Sequence, residues 1–174
     1  YNKQYGDKRF IPVIPNSAYG PNDNFDPKSG HVLSALMSRF HEAKESGAEA
    51  VPLWGSGSPR REFVHADDIA DACVHLLQQD VSALEFPLNI GVGSDISIKE
   101  LAETIAGVVG YKGRLEWDRT KPDGAPRKLL DSANDQAVSA EEREKRKKSA
   151  ETKLLEIKEI DQQVTQFRRS SEQT

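Results

Sequence analysis

The sequence predicts an α/β fold followed by a long charged helix. Short apolar runs alternate with amphipathic helical patterns from Tyr1 to about Asp131. Glycine and proline punctuate those runs at turn positions. From Ser132 onward glycine and proline are absent, and Glu, Lys, Arg and Gln dominate.

Taken in chain order, the residues Tyr1 to Gly6 read as the middle of a helix. Arg9 to Pro15 read as a strand, with Phe10, Ile11, Val13 and Ile14 apolar and Pro15 ending it. Asn16 to Pro21 carry turn chemistry. His31 to about Ser46 predict a helix whose Val32, Leu33, Ala35, Leu36, Met37 and Phe40 share one face, with Gly47 as its stop. Val51 to Trp54 form a short strand, followed by the turn Gly55 to Pro59.

Asp67 or Asp68 is expected to start a helix through Ile69, Cys73, Leu76 and Leu77, its carboxylate accepting from free amides of the first turn. Phe86 to Gly91 read as a strand. Ser97 and Glu100 are spaced as a capping box, and the helix they open carries Leu101, Ile105, Val108 and Val109 and stops at Gly110. Arg114 to Trp117 make one more strand, and Lys121 to Pro126 a loop. The last region predicts a helix from about Ala140 to Arg168. Its stripe of Leu154, Ile157, Ile160, Val164 and Phe167 suits a coiled-coil seam, yet it covers only about two heptads. A charged helix in solvent or on a neighbouring surface is the simpler reading.

Composition narrows the function classes. The net charge is −4, from 24 basic and 28 acidic residues, which disfavours a nucleic-acid partner. No apolar run approaches the roughly 20 residues of a membrane span. The single cysteine, Cys73, lies on a helical pattern, reads as a small buried hydrophobe and fits a cytoplasmic setting. His65 with Asp67 and Asp68 lacks a second ligand cluster, so no metal site is expected. The Gly55-Ser56-Gly57 turn fits neither the Walker nor the dinucleotide pattern, although Arg60 and Arg61 beside it suit a diphosphate.

These pieces come in a telling order: Tyr1 to Gly6, Pro15 to Phe25, His31 to Glu42, Trp54 to Phe63, Val64 to Asp68, and Lys121 to Asp131. In that order they resemble the GDP-L-fucose synthases, within the extended short-chain dehydrogenase/reductase family, over about Tyr1 to Asp131. The resemblance implies the carboxyl-terminal part of an extended Rossmann-type reductase with a small mixed α/β substrate domain. Residues 1–50 would be a remnant of the cofactor domain, 51–131 the substrate-binding domain, and 132–174 a charged helical tail unlike the family.

It also implies NADP as cofactor and a GDP-sugar as substrate. The family epimerises GDP-4-keto-6-deoxy-mannose and then reduces it. By resemblance Pro15, Asn16, Ser17, Ala18 and His31 contact the cofactor, and His31 also acts as an acid in epimerisation. Arg39, Trp54, Arg61 and Asp123 bind the nucleotide sugar. Arginines clamp diphosphates, aromatic faces pack on rings, and a carboxylate accepts from hydroxyls. The family's Gly-rich fingerprint, catalytic Ser, Tyr-x-x-x-Lys pair and catalytic Cys lie upstream of the matching region. The chain by itself is therefore expected to bind rather than to turn over. The alternative is a non-catalytic interaction protein that self-associates, or meets a partner helix, through its tail.

Overall fold

The computed structural model describes residues 1–6, 10–80, 87–131 and 148. The helix expected over 140–168 and its apolar stripe lie outside the described residues, which include only Lys148 of that stretch. The fold is mixed α/β, as the alternating patterns predict.

The most heavily packed part is built on β3 (Ala50–Trp54) and β8 (Arg114–Asp118), which pair in parallel over five residues from Ala50↔Arg114 to Trp54↔Asp118. Side chains alternate along β3, so Val51 and Leu53 turn inward while Pro52 and Trp54 turn outward. Two helices cover the inner face, α2 (Val32–Glu45) and α4 (Ile98–Val109), and they also pack on each other. Leu33, Leu36, Met37 and Phe40 of α2 meet Leu101, Ile105 and Val109 of α4 in one apolar core. Each such side chain contributes about 1.5–3 kcal/mol by leaving water.

The ends of α4 follow the sequence. Ser97 Oγ accepts from Glu100 N–H at 3.1 Å, and Glu100 Oε2 accepts from Ser97 N–H at 2.9 Å. Gly110 closes the helix at φ 81°, in the left-handed region.

The second part is slighter. After the single turn α1 (Asn2–Tyr5) comes β1 (Val13–Pro15), parallel to β6 (Leu88–Ile90). The strand expected from Arg9 is thus confined to its last three described positions, and Phe10 and Ile14 are 53% and 43% exposed. The stretch Asn16–Pro21, read from sequence as a turn, contains a strand. In the structure β2 (Ser17–Tyr19) pairs in parallel with β5 (Phe63–His65). Turn-forming residue types gave way because Tyr19 is drawn into the core, at 3% exposure, against Phe63.

β5 runs directly into α3 (Ala66–Leu77). The cap of α3 also differs from expectation. His65 is the capping residue, and its Nδ1 accepts from Asp67 N–H at 3.2 Å. Asp67 and Asp68 lie in the first turn, where carboxylates favour the positive end of the helix dipole. Cys73 is half-buried and packs against the Val64–Ala72–Ile90 cluster. A small three-stranded sheet joins the two parts. Its central strand β4 (Arg60–Arg61) pairs antiparallel with β7 (Ile96–Ser97) and parallel with β9 (Arg127–Lys128).

Candidate functional site

The outward face of β3 places Trp54 at 65% exposure. Beside it, Arg39 projects from the flank of α2, next to the buried Phe40 and one turn from Leu36, and its guanidinium reaches Pro27 O at 3.5 Å. Pro27, Arg39 and Trp54 line two adjoining cavities, of ≈ 210 Å³ and ≈ 430 Å³. The smaller one runs inward to Leu36, Leu53 and Trp117, giving an apolar floor under a charged rim. Ligand pockets are typically about 300–1,000 Å³, so the joined depression is of the size a small-molecule ligand needs.

Immediately after Trp54 the chain turns through Gly55, at φ 81°. Here a side chain is excluded on two counts: the left-handed backbone and the Asp123 carboxylate that a Cβ would strike. Asp123 Oδ1 accepts from Ser56 N–H at 2.6 Å, and Oδ2 accepts from Ser56 Oγ at 2.8 Å. These bonds, the backbone one first, hold the Asp123 carboxyl below the usual aspartate range. The loop at 121–126 is thereby fastened beside Trp54, and Lys121 Nζ stands 5.8 Å from the tryptophan ring centroid. A carboxylate has about four acceptor sites, so Asp123 keeps capacity for ligand hydroxyls while it holds Ser56.

Two adjacent arginines part company in this structure. Arg60 donates from Nε to Asp95 Oδ1 at 2.7 Å and from Nη2 to Asp95 O at 2.8 Å. Arg127 Nε donates to the other oxygen of Asp95, whose side chain is only 5% exposed. The bond from Arg60, followed by that from Arg127, holds the Asp95 carboxyl below its ordinary range. Arg60 thus ties β4 to the loop before β7. Arg61 faces the other way: its Nη1 donates to Arg60 O at 2.7 Å, and it has no ion pair among the described residues. It lies against Gly124, so a Cβ there would be 3.9 Å from Arg61 Nη2. Trp54, Arg61 and Asp123 therefore gather round one loop, and Arg39 joins them across the Trp54 cavity.

The other predicted residues sit apart from this cluster. His31 is exposed at the cap of α2, without a side-chain capping bond, between Gly30 and Val32 of the smaller cavity. Its imidazole is left available for other bonds. Pro15 ends β1, and Ser17 and Ala18 belong to β2. Pro15 is exposed at the carboxyl end of β1, where ligands enter open α/β sheets, and Ala18 is exposed at the middle of β2. Asn16 donates its backbone N–H to Ile90 O at 3.1 Å, and its Oδ1 accepts from Ser17 N–H at 2.9 Å.

One residue of the site was missed by sequence reading. Glu62 is fully buried, and its carboxylate accepts from Asn16 Nδ2, at 2.5 Å, among other donors. Strand alternation gives no trace of it, because Glu62 stands between β4 and β5 and Glu62 to His65 are all buried. Among the described residues, no group of three or more His, Cys, Asp or Glu side chains is placed to hold a metal ion. No described helix is long and apolar enough to cross a membrane.

The sequence profile of the NAD dependent epimerase/dehydratase family matches residues 1–91. The chain belongs to this family. Among epimerase/dehydratase proteins it is similar to GDP-L-fucose synthase 1 of Arabidopsis thaliana, at 61% identity over 123 residues, covering 71% of this chain and 38% of that protein. It is also similar to the GDP-L-fucose synthase of Escherichia coli, at 49% identity over 138 residues, covering 75% of this chain and 43% of that protein. The crystal structure of a GDP-L-fucose synthetase from Naegleria fowleri bound to NADP superposes with a TM-score of 0.66 at 29% identity, covering 76% of this chain and 40% of that one. The chain spans about two fifths of the length of the relatives it matches, 38% and 43% in these two cases.

Proposed function

We propose that the chain is the nucleotide-sugar-binding portion of a GDP-L-fucose-synthase-like enzyme. The gathering of Trp54, Arg61 and Asp123 round the 121–126 loop, with Arg39 across the shared cavity, is the observation that carries the proposal. Trp54 offers an exposed ring face. Arg39 and Arg61 supply guanidinium forks suited to a diphosphate. Asp123 accepts from sugar hydroxyls. The relatives named GDP-L-fucose synthase support a GDP-sugar as the ligand class.

NADP is the cofactor of this reading, supported by the NADP-bound relative. Pro15, Asn16, Ser17 and Ala18 would lie along its nicotinamide end, and when bound NADPH supplies a hydride to the keto sugar. His31, uncommitted at its helix cap, would donate a proton to the sugar during epimerisation.

Calorimetric titration of the chain with GDP tests the proposal. Arg61→Ala and Trp54→Ala are each expected to weaken binding about tenfold, as loss of a charge-assisted bond or of an aromatic face does. Binding should also weaken as salt rises. Absence of binding at millimolar GDP, or indifference to both substitutions, would overturn it.

A further inference from the structure

We propose that Glu62 is a positioning residue, a buried carboxylate that fixes the turn carrying Asn16 against the strand carrying Arg61, so that cofactor-facing and nucleotide-sugar-facing elements share one anchor. The inference rests on the function proposed above for the role of Arg61, but the anchoring stands on its own geometry.

Glu62 has 0% exposure. A buried carboxylate is costly unless its acceptor sites are filled. Here they are filled from three separate stretches of chain. Oε1 accepts from Val92 N–H at 2.6 Å and from Gly93 N–H at 2.7 Å. Oε2 accepts from Asn16 Nδ2 at 2.5 Å and from Leu130 N–H at 3.1 Å. The loop after β6 closes so tightly on the carboxylate that a Cβ at Gly91 would come within 2.7 Å of Oε1 and 3.0 Å of Oε2. Glycine is needed there for close approach, at a position where the left-handed backbone is not involved.

The chemistry of the pair sets its direction. A carboxylate only accepts, so Asn16 must turn its amide nitrogen toward Glu62, which leaves Oδ1 for Ser17 N–H. Asn16 is thus held by both ends of its amide. One residue back along the chain, Arg61 projects to the 121–126 loop. Any shift of Glu62 is passed to both sides, because Arg61 and Glu62 share a peptide bond and Asn16 shares a hydrogen bond with the carboxylate.

A reciprocal swap tests this in the full chain. Glu62→Gln presents an amide NH₂ where Asn16 Nδ2 and Leu130 N–H now donate, setting donors against donors. Adding Asn16→Asp restores the pair in reverse: the introduced carboxylate can accept from the glutamine amide with one oxygen and from Ser17 N–H with the other. The readouts are GDP affinity by calorimetry and amide hydrogen exchange at Ser17 and Val92.

Glu62→Gln is expected to weaken GDP binding about fivefold, the equivalent of one lost hydrogen bond, and to speed exchange at both amides. The double variant restores the Asn16 side and leaves Leu130 N–H facing the glutamine amide, so it is expected to recover part of both losses. A merely structural glutamate would lower the melting temperature yet leave the affinity of the folded fraction unchanged. That result, or a double variant no better than the single one, would sink the proposal. Should Glu62→Gln fail to fold, a folded, GDP-binding double variant supports the proposal, and a double variant that also fails counts against it. Should the unaltered chain bind no GDP, the function proposed above falls, while the exchange data still decide whether Glu62 holds the turn.

Discussion

The β3–β8 group and the β1–β6 group are both parallel strand pairs flanked by helix, but they differ in how much they bury. Among the described residues, the first belongs to a core of sixteen buried apolar side chains, while the second rests on clusters of three and two. β3 and β8 pair over five residues and are covered by α2 and α4. β1 and β6 pair over three, and the helix beside them leaves Val74 and Leu77 at 55% and 78% exposure. Parallel pairs are normally buried on both faces. The β3–β8 group buries one face deeply, through Val51 and Leu53, and leaves Pro52 and Trp54 outward, whereas the β1–β6 group has only its small clusters. The difference bears on the proposed site: Arg39 and Trp54 stand on the firm group, and the turn after β1 stands on the slight one.

The sharpest way to break this comparison is to empty each core in turn. Phe40→Ala should cost about 3–5 kcal/mol, since Phe40 is fully buried between α2 and α4. Ile14→Ala should cost less than about 1 kcal/mol, because the side chain is already 43% exposed. Denaturant unfolding of both variants measures the contrast, and equal costs would remove it.

Native-state hydrogen exchange gives the next largest effect. The amides of β1 should exchange through a local opening well before those of β3, which should open only with the whole core. Strong protection of the Val13 and Ile14 amides in the chain by itself would show that the slight group is held more firmly than its burial implies.

Acid should loosen the sheet that joins the groups. Asp95 is held below its ordinary range by Arg60 and then by Arg127. A carboxyl lowered in the folded state stabilises fully above its unfolded value of about 3.9. That contribution declines as pH falls below about 4 and is gone once pH has passed the lowered folded value. Thermal melts should therefore be insensitive to this group from pH 5 to pH 8, taken as roughly the plateau for carboxylates, and fall in stronger acid. Asp95→Asn should lower the melting temperature at neutral pH and flatten that acid decline. A variant as acid-sensitive as the parent would mean that other carboxylates govern it.

The smallest effect is expected at the site loop. Ser56→Ala removes the hydroxyl's bonds to Asp123 Oδ2 and to Ser58 and keeps the backbone bond to Oδ1. GDP affinity should change by less than about twofold, since the stronger determinant of the loop remains. The Asp123 carboxyl should titrate nearer its ordinary range, because one of the two bonds holding it down is lost. A larger loss of affinity would show that the hydroxyl, rather than the backbone, sets the loop.

The elements most legible in the sequence are those made by near neighbours. The α2 face from Leu33 to Phe40, the Ser97–Glu100 box and the Gly110 stop all appear in the structure as their spacing predicts. The strand from Ala50 to Trp54 also shows its alternation directly. Where sequence reading went astray, a distant partner had overridden a local tendency. Ser17–Tyr19 carries turn-forming residues but pairs with a strand more than forty positions away, from Ser17↔Phe63 to Tyr19↔His65. Asp67 has the chemistry of a cap, yet the imidazole of His65, fixed edge-on against Tyr19, takes that place.

The sequence by itself determined the α/β class, the apolar face of α2 and both ends of α4, because the helical features depend on contacts within a few positions. Tertiary structure alone decided which of two neighbouring arginines is held in an ion pair and which carboxylate is buried against Asn16. Arg60 is engaged because Asp95 reaches it from 35 positions away, and that leaves Arg61 to the 121–126 loop. Glu62 finds its donors at separations of 30, 31, 46 and 68 residues. Such bonds form only after the chain has closed on itself, and burial then makes each one obligatory, since a carboxylate removed from water must be satisfied by whatever the fold brings to it.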